Sequence, residues 1–145
     1  MSYVDLHVHS NASDGTLPPE QVARLAHEAG LSAIALTDHD TMAGVAKAMD
    51  AGKELGLEVV PGIEVSSSFR DHEIHILGLF ADTASPSLQA ALKEFRLRRD
   101  QRNREMLERF DAHGIRLTAE ELCAGNPDTV ITRAHVARAV LAKGL

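Results

Sequence analysis

Apolar and polar residues alternate from Tyr3 to His9: Val4, Leu6 and Val8 take one set of positions, and Asp5, His7 and His9 the other. A period of two predicts a strand over 3–9 with the apolar set on one face and both imidazoles on the other. After the Asp14-Gly15 turn, Pro18-Pro19-Glu20 opens a helix whose buried stripe is Val22, Leu25, Ala26 and Ala29, closed by Gly30. His27 lies opposite that stripe and reads as solvated. Ala33 to Leu36 is an all-apolar run of the kind found in buried parallel strands, and it delivers Thr37-Asp38-His39-Asp40 at its C-terminal end. A second helix spans Met42 to Leu55 up to Gly56, and a third strand Leu57 to Val60. Pro61-Gly62-Ile63-Glu64-Val65 either continues that strand after a kink or starts a new one. Glu73 to Leu77 is the next strand, with Glu73, His75 and Leu77 on one face.

Strand, helix, strand, helix, strand at these spacings is the βαβ pattern of an α/β fold with a parallel sheet, here four or five βα units. In such sheets chemistry collects at the carboxyl ends of the strands, so His9, Asp14, His39, Glu64 and His75 are expected at one rim. No repeat or low-complexity linker interrupts the chain, and residues 1–145 read as one domain.

Pro86 to His113 reads as one long helix with an apolar stripe of Leu88, Leu92, Phe95, Met106 and Phe110. Arg99 and Arg102 occupy the same stripe. Arginines there need either an anion or a reach along the helix to water, and periodicity leaves both open. Arg98, Arg104 and Arg109 each follow an acid four residues earlier, an ordinary solvated pattern. His113 stands at the helix C-terminus, where the dipole favours it without a further role. Thr118-Ala119-Glu120-Glu121 is a capping-box start for a short helix that stops before Gly125-Asn126-Pro127. Thr132 caps a last helix, Arg133 to Lys143. Arg133 and His135 then sit in a first turn, either as a plain exposed helix start or beside an anion.

Composition narrows the partners. With 145 residues and 44% hydrophobic content, the chain supports one real core. No apolar run approaches the roughly 20 residues of a membrane span, and Met1 to Val8 lacks a signal peptide's basic and apolar regions, so a cytoplasmic location away from membranes is expected. The single Cys123 forms no internal disulfide, in keeping with a reducing compartment. A net charge of −6 argues against duplex nucleic acid as partner. Small anions stay open, because divalent cations between carboxylates and a phosphate dominate the local field.

A strand does not normally spend one face on histidines and an aspartate, since buried polar groups cost free energy unless paired; a bound cation would pair them. An isolated His-x-His reads more readily as a half-exposed edge strand whose histidines face water, since short motifs match by chance. Its company changes the reading: Asp5-Leu6-His7-Val8-His9-Ser10 with Ser13-Asp14-Gly15, then Thr37-Asp38-His39, then Gly62-Ile63-Glu64-Val65-Ser66, then Ile74-His75-Ile76-Leu77-Gly78. In residue type, order and spacing these four motifs resemble the PHP (polymerase and histidinol phosphatase) family. Arg99-x-x-Arg102-Asn103 and Thr132-Arg133-Ala134-His135 look like its stand-alone branch, which acts on nucleoside 3′,5′-bisphosphates and 5′-phosphorylated oligoribonucleotides.

The resemblance implies a distorted (β/α)7 barrel and a metal-dependent phosphoesterase with up to three divalent ions. His7 and His9 would hold one ion, Glu64 would bridge it to a second that His75 also binds, and Asp14 with His39 would hold a third. Mixed imidazole and carboxylate ligands suit manganese, iron or zinc, with manganese the expected ion. The family's remaining ligands, a lone His and an Asp-x-His, belong to a C-terminal half without a counterpart here. A closed barrel of this kind takes around 250 residues, so an N-terminal portion of a single domain is expected, inactive on its own. The expected reaction is hydrolysis of phosphate esters of small nucleotides, releasing the 3′-phosphate of nucleoside 3′,5′-bisphosphates and nucleotides from short 5′-phosphorylated RNA, with water activated by the ions near Glu64. Arg99, Arg102, Arg133 and His135 would clamp substrate phosphates, with Ser66 a further contact; the sequence identifies no general acid. The alternatives are a metal-dependent amidohydrolase, which also opens with His-x-His, and a PHP-type metal-binding module without activity of its own.

Overall fold

The computed structural model describes residues 2–124 and 126–145 of the chain. Gly125, part of the stop expected after the short fourth helix, lies outside them. Three parallel strands, β1 (Tyr3–Val8), β2 (Leu31–Leu36) and β3 (Glu58–Phe69), are joined by helices α1 (Pro19–Glu28) and α2 (Val45–Leu55). A fourth strand, β4 (His72–Leu79), completes a mixed, curled sheet in the order β1-β2-β3-β4.

The core lies between the sheet and the two crossover helices. Val22, Ala23 and Ala26 of α1 and Val45 and Ala48 of α2 pack with Ile34 and Leu36 of β2 and with Leu57, Val59 and Ile63. The run Ile34–Leu36 is completely buried, which is why β2 carries no polar alternation. The long helix α3 (Pro86–Ala112) adds Leu92 to this core. Its distal half packs Met106, Leu107 and Phe110 around Leu117, Leu122 and Val136, using the short α4 (Ala119–Leu122) and α5 (Arg133–Ala142).

The alternative left open at Pro61 is resolved, and one expectation needs correction. The segment after Pro61 is one continuous strand with Glu58–Val60, its register to β2 running through Leu36 and Pro61. β4 is no further βα unit: it returns antiparallel to β3 through a tight turn at Arg70 and Asp71, both at positive φ. Neither residue is glycine, so the turn leaves no sequence signature. The apolar face of β1 does not reach the core: Val4 is 56% and Leu6 41% exposed, and only Val8 packs at the core margin. β1 is an edge strand, with β2 as its single sheet neighbour.

Candidate metal centre

The polar face of β1 carries His7 and His9 side by side, their ring centroids 5.1 Å apart. From the end of β2 the chain continues through Thr37-Asp38-His39-Asp40, all buried. The backbone there flanks Glu64 of β3: Glu64 N–H donates to the Asp38 carbonyl (3.2 Å) and Asp40 N–H to the Glu64 carbonyl (3.0 Å). That bridge sets His39 beside Glu64. His75 enters from β4, its ring 4.9 Å from that of His39.

Glu64 is the hub. Its Oε2 lies 2.9 Å from Nε2 of both His7 and His9 and 3.7 Å from Nδ1 of His39, while Oε1 is 2.8 Å from Nδ1 of His75. Asp14 forms a second focus, 3.0 Å from His9 Nδ1 and 3.3 Å from His39 Nε2. Three sets of ligand atoms result, each within 4.8 Å: His7, His9 and Glu64; His9, Asp14 and His39; His39, Glu64 and His75. The structure thus brings together all six residues expected to ligate metal.

The protonation arithmetic of this cluster favours cations. His9 offers one ring nitrogen to Asp14 and the other to Glu64, and carboxylates only accept; a neutral imidazole has one N–H, so one contact sets lone pair against lone pair. Without metal, a proton must fill the gap. Burial works to lower the His9 pKa, but the Asp14 bond and the charges of Asp14, Glu64 and Asp38 together raise it. For Asp14 burial pushes upward and is outweighed by His39 and His9, which hold its carboxyl far below the usual range. At Glu64 burial likewise pushes upward, and His7, His39 and His75 outweigh it and lower the pKa. His39 Nδ1 is buried without a hydrogen-bond partner. An orphaned buried nitrogen among carboxylates and imidazoles fits a divalent ion of the manganese, iron or zinc type.

Supporting residues hold the cluster in place. Asp38 accepts from Ser10 N–H (2.8 Å), Ser10 Oγ (2.6 Å) and Ser13 Oγ (2.6 Å), pinning the loop between His9 and Asp14. That loop folds tightly: a Cβ on Gly15 would lie 2.5 Å from the His9 carbonyl oxygen. Thr132, the α5 cap, donates to Asp14 Oδ2 at 3.4 Å.

The residues expected to contact phosphate divide. Arg99, Arg102 and Arg133 line one crevice together with Asp14, His39, His75 and Glu73, and it continues into a cleft of about 630 Å³ that Ser66 also lines. Arg102 is half-buried, and burial with the charges of Arg99 and Arg133 lowers its pKa. Arg99 already has an internal anion: its Nε donates to Asp40 Oδ2 (2.6 Å) and its Nη2 to Ser66 Oγ (2.5 Å). Arg133 pairs with Glu73, which also meets His75 Nε2 at 3.2 Å. His135 sits apart from the crevice. Its Nδ1 accepts from the Thr132 N–H (3.0 Å) as the return half of the α5 capping box, and its ring lines a separate cavity with Asn11, Gly15, Thr16 and Arg138. Asp38, Asp40 and Glu73 were not among the expected site residues. The first two flank His39 in its own motif, and Glu73 shares a strand face with His75, so proximity in sequence was the available signal.

Comparison with known proteins follows the same residues. The sequence profile described as the PHP domain matches residues 5–141. A 3′,5′-nucleoside bisphosphate phosphatase of Chromobacterium violaceum is 39% identical over 99% of this chain and 51% of its own length. A 5′-3′ exoribonuclease of Haemophilus influenzae is 39% identical over 92% of this chain and 48% of its own. The chain thus spans about half the length of the curated relatives it matches. A solved structure from Bifidobacterium adolescentis, described as a putative metal-dependent phosphoesterase, superposes with a TM-score of 0.90 at 31% identity, over 99% of this chain and 51% of that one.

Proposed function

This chain belongs to the PHP domain family, and from that premise we propose that the whole protein is a metal-dependent phosphoesterase of small nucleotides. It releases the 3′-phosphate of nucleoside 3′,5′-bisphosphates and acts on short 5′-phosphorylated RNA; the similarity to the C. violaceum phosphatase and the H. influenzae exoribonuclease supports that substrate class. The observation that carries the reading is that Asp14, His39 and His75 of the ligand triads line one crevice with three guanidiniums. An amidohydrolase has less use for such a density of positive charge.

In this reading His7, His9 and Glu64 hold one ion, Glu64 with His39 and His75 a second, and His9, Asp14 and His39 a third. When bound, divalent ions supply Lewis-acid activation of water and of the phosphoryl oxygens. The protein's own groups orient and neutralise. Glu64 keeps one carboxylate oxygen toward the β1 histidines and the other toward His75, so it can span two ions. Arg102 and Arg133 line the crevice beside His39 and His75 and offer planar, charge-assisted donors to phosphate oxygens. For Arg133 to do so, Glu73 must yield its place to the incoming anion. Ser66 works mainly through Arg99, whose Nη2 donates to it.

The test is a substrate panel on the intact protein with manganese: a nucleoside 3′,5′-bisphosphate, a 5′-phosphorylated oligoribonucleotide, an amide and a lactone. Release of inorganic phosphate or mononucleotide with no amide or lactone turnover is expected. Turnover of the amide or lactone alone would refute the reading.

A further inference from the structure

We propose that Asp40 is a positioning residue for the phosphate crevice, holding the Arg99 guanidinium in place through a buried ion pair so that the rest of its N–H groups serve an anion bound beside His39 and His75. The inference rests on the phosphoesterase reading and deepens it.

Asp40 belongs to none of the expected metal-ligand triads, yet it is 3% exposed and adopts φ 51°, a left-handed conformation that non-glycine residues seldom hold without a reason. Its groups are all engaged. The N–H donates to the Glu64 carbonyl (3.0 Å), Oδ1 accepts from the Ser66 N–H (2.8 Å), and Oδ2 accepts from Arg99 Nε (2.6 Å). One residue thereby joins the end of β2, the middle of β3 and the middle of α3. The strained backbone is what lets a residue next to His39 point its carboxylate at α3 while its own N–H closes on Glu64.

The consequence falls on Arg99. Its side chain is 8% exposed, and the Nε edge is taken by Asp40 while Nη2 reaches Ser66 Oγ. A guanidinium has more donors than these contacts use, and those left belong to a group that lines the crevice with Arg102 and Arg133. Without Asp40, three cations would crowd a crevice whose lining carboxylates are Glu73, already paired with Arg133, and Asp14, already paired with histidines, and Arg99 would gain by swinging away. The nearly buried carboxylate offsets one of these charges.

The test is a double-mutant cycle on the intact manganese-loaded protein with Asp40→Asn, Arg99→Met and the pair. Asparagine keeps the size, tolerates the left-handed backbone and can still accept from Ser66 N–H; facing Arg99 it loses both the charge and the acceptor, turning an amide NH2 toward Nε–H. Expected for Asp40→Asn is a rise in KM for a nucleoside bisphosphate of about tenfold, with kcat within about threefold and an equal rise in the inhibition constant of inorganic phosphate. In the Arg99→Met background the same change should have no further effect, because its target is gone. An unchanged KM for Asp40→Asn, or effects that multiply independently, would overturn the proposal.

A second measurement needs no folded variant. In the ¹⁵N-labelled wild type, the Arg99 Nε–H resonance should be protected from solvent exchange, and inorganic phosphate should shift the Arg99 side-chain signals. An unprotected Nε–H, or signals unmoved by phosphate, would overturn the proposal. Absence of phosphoester turnover in the wild type would instead refute the phosphoesterase reading, so the two failures are distinct.

Discussion

Replacing Asp38 by asparagine tests how the loop between His9 and Asp14 is held. The carboxylate accepts three hydrogen bonds, two on Oδ1 from Ser10 N–H and Ser13 Oγ and one on Oδ2 from Ser10 Oγ. Asparagine has one acceptor oxygen. Placed at Oδ1 it keeps two of the bonds but without charge, which lowers each by about 1 kcal/mol relative to a bond with an ionised acceptor. Its amide then faces Ser10 Oγ, which already accepts from Ala12 N–H, so the hydroxyl proton loses its partner at a further cost of about 1 kcal/mol. Against this, burial pushes the Asp38 pKa up despite those three bonds, so removing the charge returns part of its desolvation cost. The balance is a destabilisation of about 2 kcal/mol, or about 4–8 °C in Tm for a domain of this size class. Thermal unfolding of the intact protein, followed by circular dichroism with and without manganese, measures it. Because Asp14 and His9 flank the loop, the manganese-dependent part of Tm should shrink as well. A variant melting within about 1 °C of wild type in both conditions would refute the reasoning.

Two further outcomes follow from the same geometry. Arg133→Ala should raise KM about tenfold for a 5′-phosphorylated substrate and much less for one lacking that phosphate, allowing for the solvent exposure of this arginine; steady-state kinetics on the two substrates checks this, and equal effects would exclude the clamp. In metal-free protein the raised His9 pKa means its ion pairs stabilise fully below its ordinary 6.5 and fade as pH rises through the folded value, whereas the lowered Asp14 pKa means its contribution is present above 3.8 and is lost on acidification. Metal needs neutral imidazoles, so the Tm increment from manganese should instead grow between about pH 6 and about pH 8. An increment independent of pH would show that manganese binds away from these histidines.

Much of this architecture was legible along the chain because local patterning and burial agree. Val22, Ala26, Ile34 and Leu36 sit where the apolar pattern puts them, whereas Leu25 and Ala29 of the stripe expected on α1 are exposed. What escaped depends on partners distant in sequence. Arg99 looked misplaced on the apolar stripe of α3 because its counter-ion, Asp40, lies 59 positions earlier. The antiparallel return of β4 was hidden because Arg70 and Asp71 take positive φ without glycine. His135 resembled a phosphate contact by position, yet a residue three places after a threonine cap also closes a capping box, and there its ring is found. The gathering of His7, His9, Asp14, His39, Glu64 and His75 could be anticipated since each falls on or just after a strand.

The central claim is that these six side chains form a metal centre that hydrolyses phosphate esters. Its most direct test is phosphate release from a nucleoside 3′,5′-bisphosphate by the intact protein with manganese, beside Glu64→Gln under the same conditions. The account predicts turnover by the wild type and a loss of about a hundredfold or more in the variant, with bound manganese reduced. Equal turnover by both proteins, or equal turnover after chelation, would contradict it.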